Sequence, residues 1–258
     1  MPIHFGHKPG LVAYITCGDP SLEVSRDIAL AAISAGADVI ELGVPFSDPV
    51  ADGPVIQRAS ERALMHRTDL TGVIHIAQQI RRLSPAGLII FSYLNPILQF
   101  GLEKFCAAAK EVGADGVLVT DLPVEEAADY LRAMREHKLA PVFLAAPTST
   151  NERLQVIAKH SRGFVYAISR TGITGTREEV AKDARTLVER LRRFTKLPIA
   201  IGFGISTPEQ FAEVGEFADA AVIGSAIVER IEQSRGREAE AVGEFLRSLR
   251  TSAPERVD

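Results

Sequence analysis

Apolar positions in this chain fall into short unbroken runs separated by longer amphipathic stretches. The runs are Leu11–Thr16, Asp38–Leu42, Gly87–Tyr93, Gly116–Thr120, Pro141–Ala145, Phe164–Ser169, Pro198–Phe203 and Ala220–Gly224. They are continuous rather than alternating, and rich in Val and Ile. That pattern suits parallel strands covered on both faces. Between them, a period near 3.6 predicts helices over Glu23–Ala35, Leu102–Val112, Glu125–His137, Glu152–His160, Glu178–Phe194 and Pro208–Val214. Start signals stand at Asp19-Pro20-Ser21, at Asp121-Leu122-Pro123-Val124-Glu125 and at Ser206-Thr207-Pro208-Glu209. Gly36, Gly113 and Gly215 stand where left-handed helix ends are expected.

Eight strands, each followed by helix, predict an α/β fold: a single (β/α)8 TIM barrel of parallel strands, one domain over residues 1–258, with a frayed tail at Thr251–Asp258. A doubly wound open sheet would need a glycine fingerprint after the first strand, and Thr16-Cys17-Gly18-Asp19-Pro20 is not one. The chain has 258 residues, 46% of them hydrophobic and 24% charged, with mean hydropathy +0.09, enough for a large core. Its formal net charge of −4 argues against nucleic acid as main partner. No run approaches a membrane span, and the N-terminal segment has no signal-peptide core. Two cysteines, Cys17 and Cys106, fit a reducing, cytoplasmic setting. The six histidines form no metal spacing.

Two strand-to-helix connections are long, Gly43–Pro54 and Arg170–Arg177, and in a barrel both follow the C-terminal strand ends where active sites are built. Glu41 closes the second strand. It either faces the barrel mouth, where an apolar wall would raise its pKa, or pairs with a basic neighbour at the strand end. Asp52, in the following loop, is either a turn former or the second member of a carboxylate pair with divided roles. Gly202-Phe203-Gly204 after the seventh strand and Gly224-Ser225 after the eighth stand where barrels commonly bind phosphate. Ser225 is expected to cap a short helix, Ala226–Ile231, and Gly175 to add an N–H from a lid. Tyr166 reads by itself as a core tyrosine.

These residues carry a family resemblance. The string Glu41-Leu42-Gly43-Val44-Pro45-Phe46-Ser47-Asp48-Pro49, continued by Val50-Ala51-Asp52-Gly53-Pro54, closely resembles the signature of the tryptophan synthase α subunit family. So do Tyr14–Pro20, Asp121–Glu126, Ser169–Gly175, Gly202–Ser206 and Gly224–Val228, in family order over about residues 10 to 250. The resemblance implies a lyase that cleaves indole-3-glycerol phosphate to indole and glyceraldehyde 3-phosphate. In that family pattern Glu41 is the general acid/base and Asp52 the second catalytic carboxylate. Tyr14, Ile56, Phe91, Leu118 and Tyr166 match the substrate pocket, and Thr174 matches a lid residue that meets Asp52. Gly175, Phe203, Gly204, Gly224 and Ser225 match the phosphate cradle.

The resemblance also implies a β-subunit partner in a complex of two α and two β chains. PLP belongs to that partner, with no cofactor or metal in this chain. Pro45, Asp48, Pro49 and the Tyr93-Leu94-Asn95-Pro96 turn match the partner-facing surface. A stand-alone lyase releasing free indole would need the same two carboxylates. Three departures from the pattern stand out. The first strand begins by residue 11, which leaves the usual N-terminal helix below the barrel nearly absent. His66-Arg67 occupies a place where a glycine commonly ends the helix, and Thr120 adjoins the indole pocket.

Overall fold

The computed structural model describes residues 3–168, 177–202 and 204–250. The expected tail and the Arg170–Thr176 part of the sixth loop lie outside these residues. The strands are β1 Gly10–Thr16, β2 Val39–Gly43, β3 Gly87–Ser92, β4 Gly116–Val119, β5 Ala140–Val142, β6 Leu144–Ala145, β7 Val165–Ile168, β8 Ile199–Gly202 and β9 Ala220–Ile223. Every pairing among them is parallel, in the order β5-β4-β3-β2-β1-β9-β8-β7-β6. β5 and β6 are halves of the one run expected at Pro141–Ala145, interrupted at Phe143. The first half pairs with β4 and the second with β7, so the chain itself closes an eight-position barrel.

The helices are α1 Leu22–Ser34, α2 Pro54–Met65, α3 Leu70–Leu83, α4 Leu94–Phe100, α5 Leu102–Glu111 and α6 Ala128–Glu136. They continue with α7 Asn151–His160, α8 Arg177–Arg192, α9 Pro208–Phe217, α10 Ser225–Gln233 and α11 Glu238–Arg250. Ser21 caps α1 by accepting from Val24 N–H at 3.2 Å. Thr207 and Gln210 form a reciprocal capping box on α9. The expected start at Glu125 is a single 3₁₀ turn, Val124–Glu126, with α6 beginning at Ala128. Asp121 instead accepts from Leu94 N–H at 2.7 Å and anchors α4. Gly36 and Gly113 have φ of 97° and 84°, as helix ends in the left-handed region require. Gly215 lies inside α9; a Cβ there would sit 2.6 Å from Pro9 Cδ, so close chain packing explains it.

Alternation along each strand divides the core in two. Val12, Val39, Ile89, Leu118, Val142, Phe164 and Val222 fill the barrel interior. Leu11, Ala13, Ile15, Ile40, Leu42, Leu88 and Ile90 face the helices. Below the barrel, Ile3 and Phe5 pack on that interior cluster, with Phe5 edge-on to Phe164 at 6.1 Å. A non-helical segment thus covers the interior cluster where the resemblance leads one to expect a helix.

A repeated Ala-Asp pair, Ala37-Asp38, Ala114-Asp115 and Ala218-Asp219, ends three helix-to-strand turns on the same face. Each carboxylate accepts the first free N–H of the preceding strand in sequence. Leu11 N donates at 2.8 Å, Leu88 N at 3.0 Å and Ile199 N at 2.7 Å. Arg250, Arg81 and Arg192 respectively neutralise the three. These capped and charge-paired carboxylates tie the strand starts together at the end opposite the candidate site.

Candidate active site

Glu41 sits in the middle of β2, not at its end, with Tyr14 of β1 and Ile89 of β3 as its registered neighbours. Two residues after Val39, it faces the barrel interior. It is 0% exposed, and neither Oε1 nor Oε2 has a hydrogen-bond partner among the described residues. The reading as a carboxylate paired with a basic neighbour is therefore overturned. Burying an unpaired carboxylate costs several kcal/mol, so the group relieves the cost by holding its proton. Burial pushes its pKa up to about 8.

Asp52 is half-buried in the loop between β2 and α2. Tyr93 O–H donates to its Oδ2 at 3.1 Å and accepts from Ala51 N–H at 2.9 Å. Burial raises the Asp52 carboxyl to about 6, against the downward pull of the Tyr93 bond. Burial and the Asp52 charge also raise the Tyr93 phenol. The Phe46 ring lies 5.0 Å from the Tyr93 ring and braces it. Tyr93 is only 3% exposed, and Pro45 is buried. The expectation that both face outward is therefore corrected; Ser47, Asp48 and Asn95 are the exposed residues there. Tyr93 is the site residue that sequence reasoning missed. Its place two residues after the inward-facing Phe91 was the available signal.

Tyr14, Ile56, Phe91, Tyr166, Gly204, Gly224 and Ser225 share one cavity of about 150 Å³ with Gly202, Ile205, Val222 and Ala226. Tyr14 and Phe91 meet edge-on at 5.0 Å. Gly43 makes room for this pair, since a Cβ there would lie 2.4 Å from the Tyr14 hydroxyl oxygen. Leu118 is fully buried in the interior cluster and does not line the cavity. Thr174, Gly175 and Phe203 lie outside the described residues. Thr120 lines a separate hollow of about 170 Å³ on the β4 side.

Gly204 has φ 77°, a conformation that favours glycine, and open space where a Cβ would be. Gly224 is the N-cap of α10, and Ser225 is its first helical residue rather than its cap. The leading N–H groups of this nine-residue helix, at Ser225 and Ala226, have no intrahelical acceptor and border the cavity. Such amides receive an anion without a basic side chain. The cavity therefore joins an aromatic wall to an anion cradle, and Glu41 lies buried beside it, registered with the wall residue Tyr14. Larger hollows share none of these residues: one of about 610 Å³ lies between α10 and α11, and one of about 560 Å³ lies between the β2–α2 loop and α2. Among the described residues no cluster has metal-ligand geometry, and no helix is long and apolar enough to cross a membrane.

Comparison with known proteins agrees with the barrel fold. Residues 4–254 match the family model described as tryptophan synthase alpha chain. The chain is similar to the tryptophan synthase alpha chain of Solibacter usitatus, 51% identical over 228 residues, 88% of this chain and 85% of that one. It is similar also to that of Thermoanaerobacter sp. strain X514, 41% identical over 94% of this chain and 93% of that one. Among solved structures, tryptophan synthase subunit alpha from Legionella pneumophila superposes with a TM-score of 0.86 at 38% identity, covering 93% of this chain and 91% of that one. An aminoacrylate-bound tryptophan synthase structure from M. tuberculosis gives 0.85 at 31% identity, covering 94% and 91%. With a family model matched along nearly its whole length, the chain belongs to the tryptophan synthase alpha chain family.

Proposed function

We propose that this chain is a carbon–carbon lyase that splits indole-3-glycerol phosphate into indole and glyceraldehyde 3-phosphate for tryptophan synthesis. One barrel domain over residues 1–258 carries the reaction. The observation that carries this reading is Glu41: a fully buried carboxyl with both oxygens unpartnered among the described residues, facing into the barrel, its pKa raised to about 8. At neutral pH it holds a proton to give.

Glu41 delivers that proton to indole C3, which turns the ring into an electron sink. The side-chain hydroxyl on the adjacent carbon then loses its proton, its oxygen forms the aldehyde carbonyl, and the C3–carbon bond breaks. The released pair restores the indole ring. Glu41, now a carboxylate, takes the hydroxyl proton and returns to its starting state, so a single shuttling group balances the cycle. Asp52, ionised at neutral pH, accepts the indole N–H and stabilises the positive charge on the C3-protonated ring. Tyr14, Phe91 and Tyr166 form the aromatic wall, with Ile56 beside them and Leu118 beneath. Gly204, Gly224 and Ser225, with Gly175 and Phe203, hold the phosphate, and Thr174 meets Asp52 when the lid shuts and excludes water.

The indole passes to a β subunit that holds the PLP, in an assembly of two α and two β chains in the cytoplasm; this chain needs no cofactor of its own. Supporting this partner is an apolar patch beside the catalytic loop. Val50 and Met65 are each 75% exposed there, around the hollow lined by Phe46, Pro49 and Leu64.

The test is incubation with indole-3-glycerol phosphate, assaying indole with and without a β subunit. The wild-type chain should release indole, and the partner should stimulate it. Glu41→Gln should abolish release, and Asp52→Asn should cut turnover sharply while substrate still binds through its phosphate. Unchanged release by Glu41→Gln would overturn the reading.

A further inference from the structure

α2 begins at Pro54, two residues after Asp52. Its first turn grips the catalytic loop, because Gln57 Nε2 donates to Asp52 O at 2.9 Å and to Pro49 O at 3.4 Å. Arg58 and Arg62, one turn apart on the same face of α2, both reach Glu232 of α10. Arg58 Nε and Nη2 lie at 3.2 and 2.9 Å from its carboxylate, and Arg62 Nη1 at 2.8 Å. Arg62 uses its remaining edge on Asp19, in the turn after β1, with Nε at 2.8 Å and Nη2 at 2.7 Å. Asp19 is 2% exposed. A planar guanidinium fills this three-way junction, which a lysine ammonium would not.

The three elements joined here are those that build the site. β1 carries Tyr14, the loop into α2 carries Asp52, and the N-terminus of α10 carries Gly224 and Ser225. We propose that Arg62 is a positioning residue: from the last turn of α2 its guanidinium ties that helix to the turn after β1 and to the last turn of α10, so that the two helices, as rigid rods, hold Asp52 before the start of α2 in fixed register with the anion-binding start of α10. The inference deepens the proposed function and rests on it. Substrate seated by its phosphate on α10 meets an Asp52 whose place is set through the same network. A displacement of about 1 Å costs up to roughly 100-fold in rate, so the connection is consequential.

The test compares Arg62→Met in the wild-type and Asp52→Asn backgrounds. In the wild-type background kcat should fall about 10-fold or more with KM changed less than about 2-fold. In the Asp52→Asn background the residual kcat should change less than about 2-fold, because the group being positioned is already disabled. A scaffold role alone would lower both backgrounds equally, and that result, or an unchanged kcat in the first, overturns the proposal. Glu232→Gln, which leaves the Arg62–Asp19 pair intact, should give a smaller loss of the same pattern; it carries the test if Arg62→Met does not fold.

Amide exchange separates this proposal from the reading of the reaction. In both variants the amides of residues 50–53 and 55–57 should exchange faster while those of β4 are unchanged, whatever the wild-type protein turns over. Equal protection in that segment refutes the positioning role. A wild-type chain that releases no indole refutes the reaction instead.

Discussion

Tyr93→Phe removes one hydroxyl that donates to Asp52 at 3.1 Å while leaving the ring against Phe46. Burial raises the Asp52 carboxyl to about 6, and the Tyr93 bond opposes that rise by stabilising the carboxylate. A hydrogen bond to a charged group contributes about 1.5–3 kcal/mol. At 1.36 kcal/mol per pK unit, its loss moves Asp52 upward by about 1–2 units, to roughly 7–8. In the wild-type protein at pH 7 roughly nine-tenths of Asp52 is ionised, and in the variant roughly half to one-tenth. Because the ionised form is the active one, kcat at pH 7 should fall about 2- to 9-fold.

The acid limb of the kcat–pH profile should rise by the same 1–2 units toward the alkaline limb set by Glu41, narrowing the bell from its acid side. The assay is steady-state indole release between about pH 5 and pH 9, alongside Tm to show that the variant is folded. An acid limb that stays in place or moves to lower pH would refute the reasoning.

Three further outcomes follow from the same geometry. Glu41 has a folded pKa raised above its unfolded value, so its contribution to stability is full below about 4.5 and lost as pH rises through about 8. Across that window the wild-type protein should lose about 4–5 kcal/mol relative to Glu41→Gln, read from urea midpoints near pH 5 and pH 9; parallel curves would contradict it. Gly224→Asp fits sterically, with Tyr14 Cβ 3.6 Å from the new Cβ, but sets a negative charge beside the anion cradle. KM should rise at least ~10-fold with kcat little changed, and an unaltered KM would move the phosphate elsewhere. Arg67 has φ 57°, so Arg67→Gly should relieve left-handed strain, less the entropy glycine loses on folding, and raise Tm by roughly 1–4 °C; a lowered Tm would show that the side chain carries a compensating contact.

The eight-strand barrel was legible because parallel strands covered on both faces leave continuous apolar runs, but runs apolar on both faces left the direction of Glu41 open. That Gly204, Gly224 and Ser225 border one cavity was legible because glycines after two adjacent strands leave backbone open at the same rim. Less visible were features set by contacts distant in sequence. The break at Phe143 reflects closure of the barrel, which no local pattern encodes. Gly215 resembles a helix end in sequence but answers to Pro9, more than two hundred residues away. Ser225 has the composition of a cap, yet the backbone turns one residue earlier, at Gly224. Tyr93 was assigned to the partner-facing turn because its link to Asp52 spans 41 residues. The Ala-Asp pairs below the barrel were readable as a repeat, but their role as caps on neighbouring strands needs the sheet order.

Glu41 carries a proton at neutral pH because, among the described residues, the barrel offers its carboxylate no partner. Titration of ¹³C-glutamate-labelled protein by NMR, with the Glu41 signal identified by its absence in Glu41→Gln, measures this directly. A carboxyl buried in this way should titrate near 8. A Glu41 signal that ionises in the ordinary glutamate range, near 4.5, would contradict it.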